Sequence, residues 1–466
     1  MLSTDKQLLL SGFLGKLPEH VAARLAKAVE VDRLIGGTSL PHDMILRALR
    51  PQLRQGPDRT LRMQTPQRFF CRPFEDILVG SERSIKQKGR ITRDSIEAVW
   101  NWLASDLMAV RHRIIVEALR DAILHARESE IEERCVELWS EAAAVLKPEL
   151  ATEKKKAFAA KKLGGMALAE DAAEMALLLE AAPKIAELQG RLPKPIVNLS
   201  EDDLVFLRDC FEHWSDSDPD LAPYVPLIVM GRLERRWEAL RLVGALTRKS
   251  DDTLISNTDL GVVGELLFGD LDVYVKKIQA IRPMDFDDAE TLLGNLAGFA
   301  ELSSGIVKEF GIRRDGKWGH RLTKDRGAVA QVMEDLLERA PKEILGALPA
   351  AKMGGFGKSP KPLDFSRAPD PERAAKAMRY AQLMRHAKPF AVAAAFSAKL
   401  SETIDETTNV LRTHTEDILR ELRAAAPETR GIVDLHWAQT LELCALVLGE
   451  EETGLLRRRA RVPAPA

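Results

Sequence analysis

The sequence predicts an all-α fold, either a multi-domain helical bundle or an irregular helical array. Aromatic residues make up only 5% of the 466 residues, and 45% are apolar, with alanine and leucine abundant. Straight-chain residues such as Leu, Glu, Lys and Arg lose little rotamer freedom in a helix, so this composition favours helix over sheet. Apolar residues also recur at spacings of three and four along most of the chain, as on a helix face. No stretch approaches the roughly 18 apolar residues of a transmembrane helix.

Residues 1–150 are predicted to form an N-terminal helical domain. Pro18 stands where a proline suits the first turn of a helix, and Gly36-Gly37 ends that helix. Thr92 or Asp94 is a candidate N-cap for a later helix that carries two tryptophans.

Residues 151–197 are predicted to be a helical connector, because Ala, Lys, Glu and Leu dominate them and Pro193 marks their end. Residues 198–349 are predicted to be a second helical domain. Ser200 followed by Asp203 resembles a capping box at its start, with Asp in place of the preferred Glu.

A small β-hairpin is expected near residues 312–322, with an ordered loop as the alternative. Asp315-Gly316 is a dipeptide that favours the tight turn of a two-residue hairpin, and apolar residues flank it.

Residues 350–371 are predicted to be a flexible linker, because glycine and proline are frequent there. Residues 372–466 are predicted to be a C-terminal long-helix module. Pro389 must break or kink its first long helix, since proline removes a backbone donor. The basic tail at 457–461 is expected to be disordered.

One face of the long helix resembles a heptad seam between residues 400 and 422. Its members are Leu400, Ile404, Thr407, Leu411, His414, Ile418 and Leu422. Thr407 and His414 are weak seam residues. Packing on the protein's own domain is therefore favoured, with a homodimer through 400–422 as the alternative.

Charge and cysteine content narrow the function classes. The chain has 68 basic and 70 acidic side chains, so the whole molecule has no strong field to attract nucleic acid or anionic lipid. The four cysteines are far apart in the sequence, which argues against a disulfide framework or a zinc site. We expect buried thiols and a cytoplasmic protein without a transmembrane segment.

Three motifs that resemble functional sites fail on inspection. Gly357-Lys358-Ser359 lacks the earlier glycine of a phosphate loop and is followed by prolines. Asp216, Asp218 and Asp220 resemble a calcium loop, but Leu221 and Leu227 stand where glycine and glutamate are needed. The nine histidines match no metal motif. We therefore predict no catalytic residue, metal or cofactor.

Residues 44–93 contain a local excess of arginine and lysine over acids. Arginine-rich surfaces with nearby aromatics suit phosphate contact and base stacking. The candidate contacts to phosphate or to a partner are Arg47, Arg50, Arg54, Arg68, Arg72, Arg90 and Arg93. A solvated basic face balanced by the acidic helix at 128–141 is the competing interpretation.

The functional hypothesis is a non-catalytic helical interaction, scaffold or regulatory protein that presents helix faces to a protein partner. One alternative is a regulatory protein that binds nucleic acid through residues 47–93. The other is an enzyme with a helical active site assembled only by the fold, which requires a buried cluster of titratable groups in a pocket.

Overall fold

A computed structural model of the chain confirms the all-α class. The structure describes residues 10, 12–34, 40–42, 44–46, 48–49, 64–80, 86–247, 258–309, 311–312, 315–349 and 363–461. The sheet found in these residues has two short parallel strands, β1 (Leu78–Val79) and β2 (Ile91–Thr92), with Leu78 opposite Ile91. The chain divides into two compact units, unit 1 (Met1–Glu234) and unit 2 (Arg235–Ala466).

Unit 1 is built from helices of 6 to 23 residues. A 3₁₀ segment (Arg72–Ile77) precedes β1, and a π-helical turn (Leu103–Leu107) follows the third helix. The α-helices are α1 (Glu19–Leu34), α2 (Pro66–Cys71), α3 (Arg93–Trp102), α4 (Ala109–Leu124), α5 (Glu128–Leu150), α6 (Glu153–Leu163), α7 (Met166–Glu180), α8 (Ala182–Arg191), α9 (Glu201–Ser217) and α10 (Tyr224–Arg232).

The core of unit 1 lies around α5. Helices α4 and α7 pack on either side of α5, and α6 packs on α7. Cys135, Leu138 and Ala142 on α5 are buried at spacings of three and four, which is the pattern of a helix face turned to a core. The indole Nε1 of Trp139 donates to the carbonyl of Phe69 at 3.0 Å and thereby ties α2 to α5. The Ser200–Asp203 capping box is present at the start of α9, as predicted.

Unit 2 consists of helices of 9 to 30 residues. They are α11 (Ala239–Thr247), α12 (Gly261–Gln279), α13 (Ala289–Glu309), α14 (Lys317–Gly346), α15 (Pro371–His386), α16 (Ser397–Ala424), α17 (Pro427–Val447) and α18 (Glu450–Arg461). Helix α14 packs against α12, α15 and α16, and α17 packs against α15, α16 and α18. In the described part of the chain, no helix combines the length and apolar character needed to cross a membrane.

The expected β-hairpin near 312–322 is wrong, because α14 begins at Lys317. Trp318 is 1% exposed and packs on α12, where a Cβ on Gly264 would lie only 2.2 Å from the Trp318 ring. Leu322, one turn later on the same face, is also buried. Burial of this helical face outweighs the local turn preference of Asp315-Gly316.

The described end of the predicted linker is anchored. Residues 350–362 lie outside the described part of the chain, but Leu363 is 5% exposed and belongs to a core cluster with Ile418 and Trp437. Asp370 then caps α15 by accepting a hydrogen bond from the Glu372 N–H at 2.9 Å.

The helix break at Pro389 is confirmed. Helix α15 ends at His386, a 3₁₀ turn spans Lys388–Phe390, and α16 starts at Ser397.

The predicted disorder of the basic tail at 457–461 is wrong, because α18 extends to Arg461. The guanidinium of Arg459 pairs with both carboxylate oxygens of Glu416 at 2.5 and 2.7 Å. Arg423 donates to the carbonyl of Arg459 at 3.0 Å. Cations in the last turn of a helix also interact favourably with its dipole, so these arginines stabilise the end of α18.

The predicted seam between 400 and 422 faces the interior of unit 2. Leu400, Thr407, Leu411, Ile418 and Leu422 are buried, and α16 packs against α14 and α17 of the same chain. This apolar face is therefore already covered within the monomer.

Candidate functional site

The predicted arginine contacts that the structure describes differ in their exposure. Three others lie outside the described residues: Arg47, Arg50 and Arg54. Arg68 on α2 is ion-paired with Glu30, whose side chain is 5% exposed. Arg72 is partly buried and Arg90 is only 3% exposed, whereas Arg93 is exposed in the first turn of α3. Phosphate contact requires accessible side chains, so the burial of Arg90 removes the centre of the predicted basic surface.

Two buried carboxylates on α7, Asp171 and Glu174, hold the segment that contains Arg90. They are three residues apart and share a helix face, and they are 2% and 8% exposed. The ammonium of Lys86 lies 2.5 Å from Asp171 Oδ1 and also pairs with Glu174 Oε2. The same ammonium donates to the carbonyl of Arg90 at 2.6 Å. The Lys86 ammonium thus neutralises part of the negative charge of Asp171 and Glu174. Its bond to the Arg90 carbonyl also holds the loop that contains both residues.

Glu174 is further saturated by neutral donors. Its Oε1 accepts from the Gly89 N–H and from the Tyr224 hydroxyl, both at 2.6 Å. Burial and the neighbouring Glu174 charge raise the pKa of Tyr224, so its hydroxyl stays a donor. Gly89 has φ +79°, and a Cβ there would lie 2.7 Å from Leu227 Cδ1. Glycine is therefore required at the turn that brings this N–H to the carboxylate.

Asp171 is saturated in the same way. Its Oδ2 accepts from the N–H and the hydroxyl of Thr92, both at 2.8 Å, and from the Ser95 hydroxyl at 2.5 Å. Every oxygen of the two carboxylates therefore accepts at least one hydrogen bond. The cluster contains residue types common in active sites, but its acceptors are occupied by the protein itself, which indicates a structural clamp on β2 and α3.

A second buried network joins distant parts of unit 1 at Asp76, whose side chain is 1% exposed. Asp76 Oδ2 accepts from Arg232 Nε at 2.8 Å and from Gln189 Nε2 at 3.0 Å, and Oδ1 accepts from Lys194 Nζ at 2.5 Å. The Arg232 guanidinium also donates to the carbonyls of Gln189 and Leu192 at 2.7 and 2.8 Å. These contacts tie the 3₁₀ segment to α8 and α10 and leave the charges internally compensated.

Asp325 on α14 is a buried acid of a different kind. Burial raises its pKa to about 6, the Asp272 charge adds to the rise, and Arg321 opposes it. The side chain is 7% exposed, and Oδ2 has no hydrogen-bond partner among the described residues. Because the folded-state pKa exceeds the ordinary value, Asp325 costs stability as pH rises from about 4 through 6.

We expect Asp325→Asn to raise the free energy of unfolding at pH 7.5 by about 1–3 kcal/mol, since it removes a buried charge. Most of the gain should be lost near pH 4, where the wild-type carboxyl is protonated in the folded state and about half protonated in the unfolded state. Urea denaturation from pH 4 to pH 8 measures it. A variant that is less stable than wild type at pH 7.5 would contradict the account.

An open acidic cleft in unit 2 lies between α12 and α13. Its walls include Arg282, Asp285, Asp287 and Asp288. Asp288 already accepts a hydrogen bond from the Thr291 N–H at 2.9 Å as part of the start of α13. Within the described residues, no group of three or more His, Cys, Asp or Glu side chains is arranged to hold a metal ion. The cleft is therefore interpreted as the solvent-exposed segment that leads into α13.

The surface that stands out is the outer face of α6, which we call the lysine face. It is formed by Lys154, Phe158 and Lys161, with Lys155 and Lys162 at its edges, and all five are exposed. Phe158 is 59% exposed. The opposite side of the helix is buried through Ala159 and Leu163. Lys154 and Lys161 are two helical turns apart, so they flank Phe158 on one face, about 10 Å from each other.

The ends of α6 are well defined, which makes the lysine face a rigid surface. Thr152 caps the helix by accepting from the Lys155 N–H at 3.3 Å. Gly164, with φ +96°, ends it and donates to the carbonyl of Ala160 at 2.9 Å. A left-handed glycine at this position is a common helix stop.

Lysines of α6 exceed the acids available to pair with them. The helix has five lysines and one glutamate. Three of the lysines have an acid partner: Lys155 pairs with Glu149 at 3.6 Å, Lys156 with Glu153 at 2.9 Å and Lys162 with Asp106 at 3.0 Å. No carboxylate among the described residues is within ion-pair distance of Lys154 or Lys161.

Lys154 also lies in the first turn of α6, where a positive charge opposes the helix dipole. An acid at this position would stabilise the helix, as Glu153 does one residue earlier. A residue that breaks a local stability rule without a compensating contact is a candidate for function.

The lysine face was not predicted from the sequence, because residues 151–197 were interpreted as a helical connector. The available signal was the pattern of lysines at 154, 155, 161 and 162, which repeats after seven residues and places them on one side of a helix. The exposure of Phe158 could not be read from this pattern, since a lone phenylalanine in an amphipathic helix is usually buried.

Comparison of the chain with family models, curated proteins and solved structures found no match.

Proposed function

We propose that the protein is a non-catalytic interaction protein that binds an acidic segment of a partner protein through the lysine face of α6. The observation that carries the proposal is that Lys154 and Lys161, both without an acid partner in the described residues, flank the exposed Phe158. Exposed lysines attract a carboxylate-rich surface, and a central aromatic supplies an apolar anchor inside a charged rim.

A protein segment fits this face better than nucleic acid. Helix α6 offers about four exposed lysines over roughly 12 Å, whereas sequence-independent DNA binding commonly uses about 6–10 phosphate contacts. Lysine is also a point charge without the planar fork with which arginine grips phosphate. The exposed Phe158 suits a partner that has an apolar side chain among its acids.

The buried charges of unit 1 support a binding role over a catalytic one. The oxygens of Asp171 and Glu174 are already hydrogen-bonded to the protein, so none is free to act as a general base without loss of a structural bond.

A cytoplasmic location accords with the cysteines. All four are free thiols. Burial raises the pKa of Cys135 and Cys444 to about 12, so both stay protonated and unreactive.

The proposal is tested by fluorescence anisotropy with a short labelled peptide that contains several glutamates and one leucine. We expect Lys154→Glu and Lys161→Glu each to weaken binding, and the double variant to weaken it at least about tenfold. Lys184→Glu is the matched control, because Lys184 is an exposed lysine near the start of α8 and should change binding less than about twofold.

Two outcomes would overturn the proposal. Equal binding of the peptide by wild type and the double variant would remove the lysine face from recognition. Tighter binding of a single-stranded oligonucleotide of equal charge, lost in the same variants, would assign the face to nucleic acid.

The two single variants also separate binding from stability. Lys154→Glu should raise the free energy of unfolding by about 0.3–1 kcal/mol, because it places an acid in the first turn of α6. Lys161→Glu should lower it by a similar amount, because it places an acid in the last turn. If binding followed stability, the two variants would change it in opposite directions; recognition by charge predicts that both weaken it.

A further inference from the structure

Helix α9 of unit 1 presents an exposed acidic surface, which we call the acidic face. Its four members are exposed and follow one another at spacings of three and four residues: Asp202, Val205, Asp209 and Glu212. This spacing places them on one side of the helix. Val205 is 54% exposed, whereas Leu207 on the opposite side is fully buried.

The carboxylates of the acidic face have no cation within ion-pair distance among the described residues: Asp202, Asp209 and Glu212. Asp202 lies in the first turn of α9, where the helix dipole favours an acid. Asp209 lies in the middle of the helix, where the dipole offers no such explanation. The inner side of α9 is held in place, since the Arg191 guanidinium of α8 lies 5.3 Å from the centre of the Phe206 ring.

The acidic face and the lysine face match in spacing as well as in charge. In each, an apolar residue is flanked by two like charges that are two helical turns, about 10 Å, apart. The apolar residue is four positions from one charge and three positions from the other, and the two patterns coincide when one helix is reversed. Antiparallel packing therefore sets three pairs opposite each other: Lys154 with Asp209, Phe158 with Val205, and Lys161 with Asp202.

The two faces do not pair within one chain, since no carboxylate among the described residues is within ion-pair distance of Lys154 or Lys161. We propose that the lysine face of one chain binds the acidic face of a second copy of this chain. This inference rests on the proposed function and names α9 as the acidic segment. Opposite charges align the two helices, and contact between Phe158 and Val205 buries apolar surface at the centre.

An interface between two different faces is head-to-tail, so each chain keeps one free face after it has bound a neighbour. Such contacts produce rings when the rotation closes and open chains when it does not. A single pair of helices buries less than the roughly 1,200 Å² at the lower end of stable interfaces, so we expect a Kd in the micromolar range.

Sedimentation velocity of the full chain between about 10 and 300 µM tests the inference. The mean mass of the wild-type protein should rise with concentration, and raising the salt from about 50 to 500 mM should lower it. Lys154→Glu/Lys161→Glu and Asp202→Asn/Asp209→Asn should each weaken self-association at least about tenfold. Glu117→Gln/Glu133→Gln is the matched control, because it removes two exposed acids outside the acidic face and should behave like wild type.

A mixture of the two interface variants provides a second readout, because each variant keeps one intact face. The lysine face of the asparagine variant should bind the acidic face of the glutamate variant. The resulting 1:1 complex should not grow, since the remaining faces set glutamates against asparagines. Formation of this complex would also show that both variants are folded.

A wild-type chain that stays monomeric, undiminished self-association of the two interface variants, or a mixture without a 1:1 complex would overturn the inference. The acidic peptide separates this failure from failure of the proposed function. Binding of the peptide to the lysine face of a monomeric protein would leave the proposed function standing and remove only the second copy as its partner.

Discussion

Asp171→Asn is expected to destabilise unit 1 by about 3–5 kcal/mol. The substitution keeps the shape of the side chain but removes the charge that Lys86 pairs with at 2.5 Å. It also sets an amide N–H₂ against donors that need an acceptor, namely the Thr92 N–H and the Ser95 hydroxyl. The Lys86 ammonium would lose one of its partners, and the Thr92 and Ser95 donors would be left unpaired. Each of these groups would then carry a desolvation penalty. Urea denaturation, followed by tryptophan fluorescence, measures the change.

The control for this prediction is an ion pair of similar distance on the surface. Glu187 and Arg191 lie 3.0 Å apart on α8, with side chains 70% and 60% exposed. Glu187→Gln should change stability by less than about 0.5 kcal/mol, because water screens the pair. Comparable effects of the two substitutions would show that the Asp171 network is not the clamp described above.

Gly231→Ala is expected to destabilise unit 1 by about 3 kcal/mol or more. A Cβ at Gly231 would lie 1.9 Å from the backbone oxygen of Asp76, and backbone cannot move aside as a side-chain tip can. The clash would push α10 away from the 3₁₀ segment and would stretch the 2.8 Å bond between the next residue, Arg232, and Asp76.

The same substitution elsewhere in unit 1 should have the opposite sign. A Cβ at Gly190, on α8, would meet nothing within 4 Å. Gly190→Ala should therefore be neutral or stabilise by up to about 1 kcal/mol, through the lower entropy of the unfolded chain. Thermal melts of the two variants side by side give the comparison; a destabilised Gly190→Ala, or an unaffected Gly231→Ala, would contradict it.

Local signals in the sequence were reliable where local chemistry decides the structure. The capping box at Ser200–Asp203 and the break at Pro389 were predicted and are present, because each depends on residues within one turn of the chain. The predictions near residue 315 and at the basic tail failed, because packing of Trp318 against α12 and pairing of Arg459 with Glu416 involve partners far away in sequence.

In the candidate site too, local features could be predicted from the sequence and long-range contacts could not. The lysine repeat of α6 is visible in the sequence, while its lack of acid partners depends on the neighbours that the fold supplies. The burial of Arg90 depends on Asp171 and Glu174, more than 80 residues later, whose role has no local signature.

Asp76 and Arg232, which are joined by a hydrogen bond, are 156 residues apart in the sequence. During synthesis they therefore leave the ribosome at different times. At a synthesis rate of about 5–20 residues per second, the carboxylate of Asp76 leaves the ribosome roughly 8 to 30 seconds before its guanidinium partner. During that interval the side of the 3₁₀ segment that packs on α10 remains uncovered. Nascent unit 1 therefore exposes part of its core surface until α10 has been made.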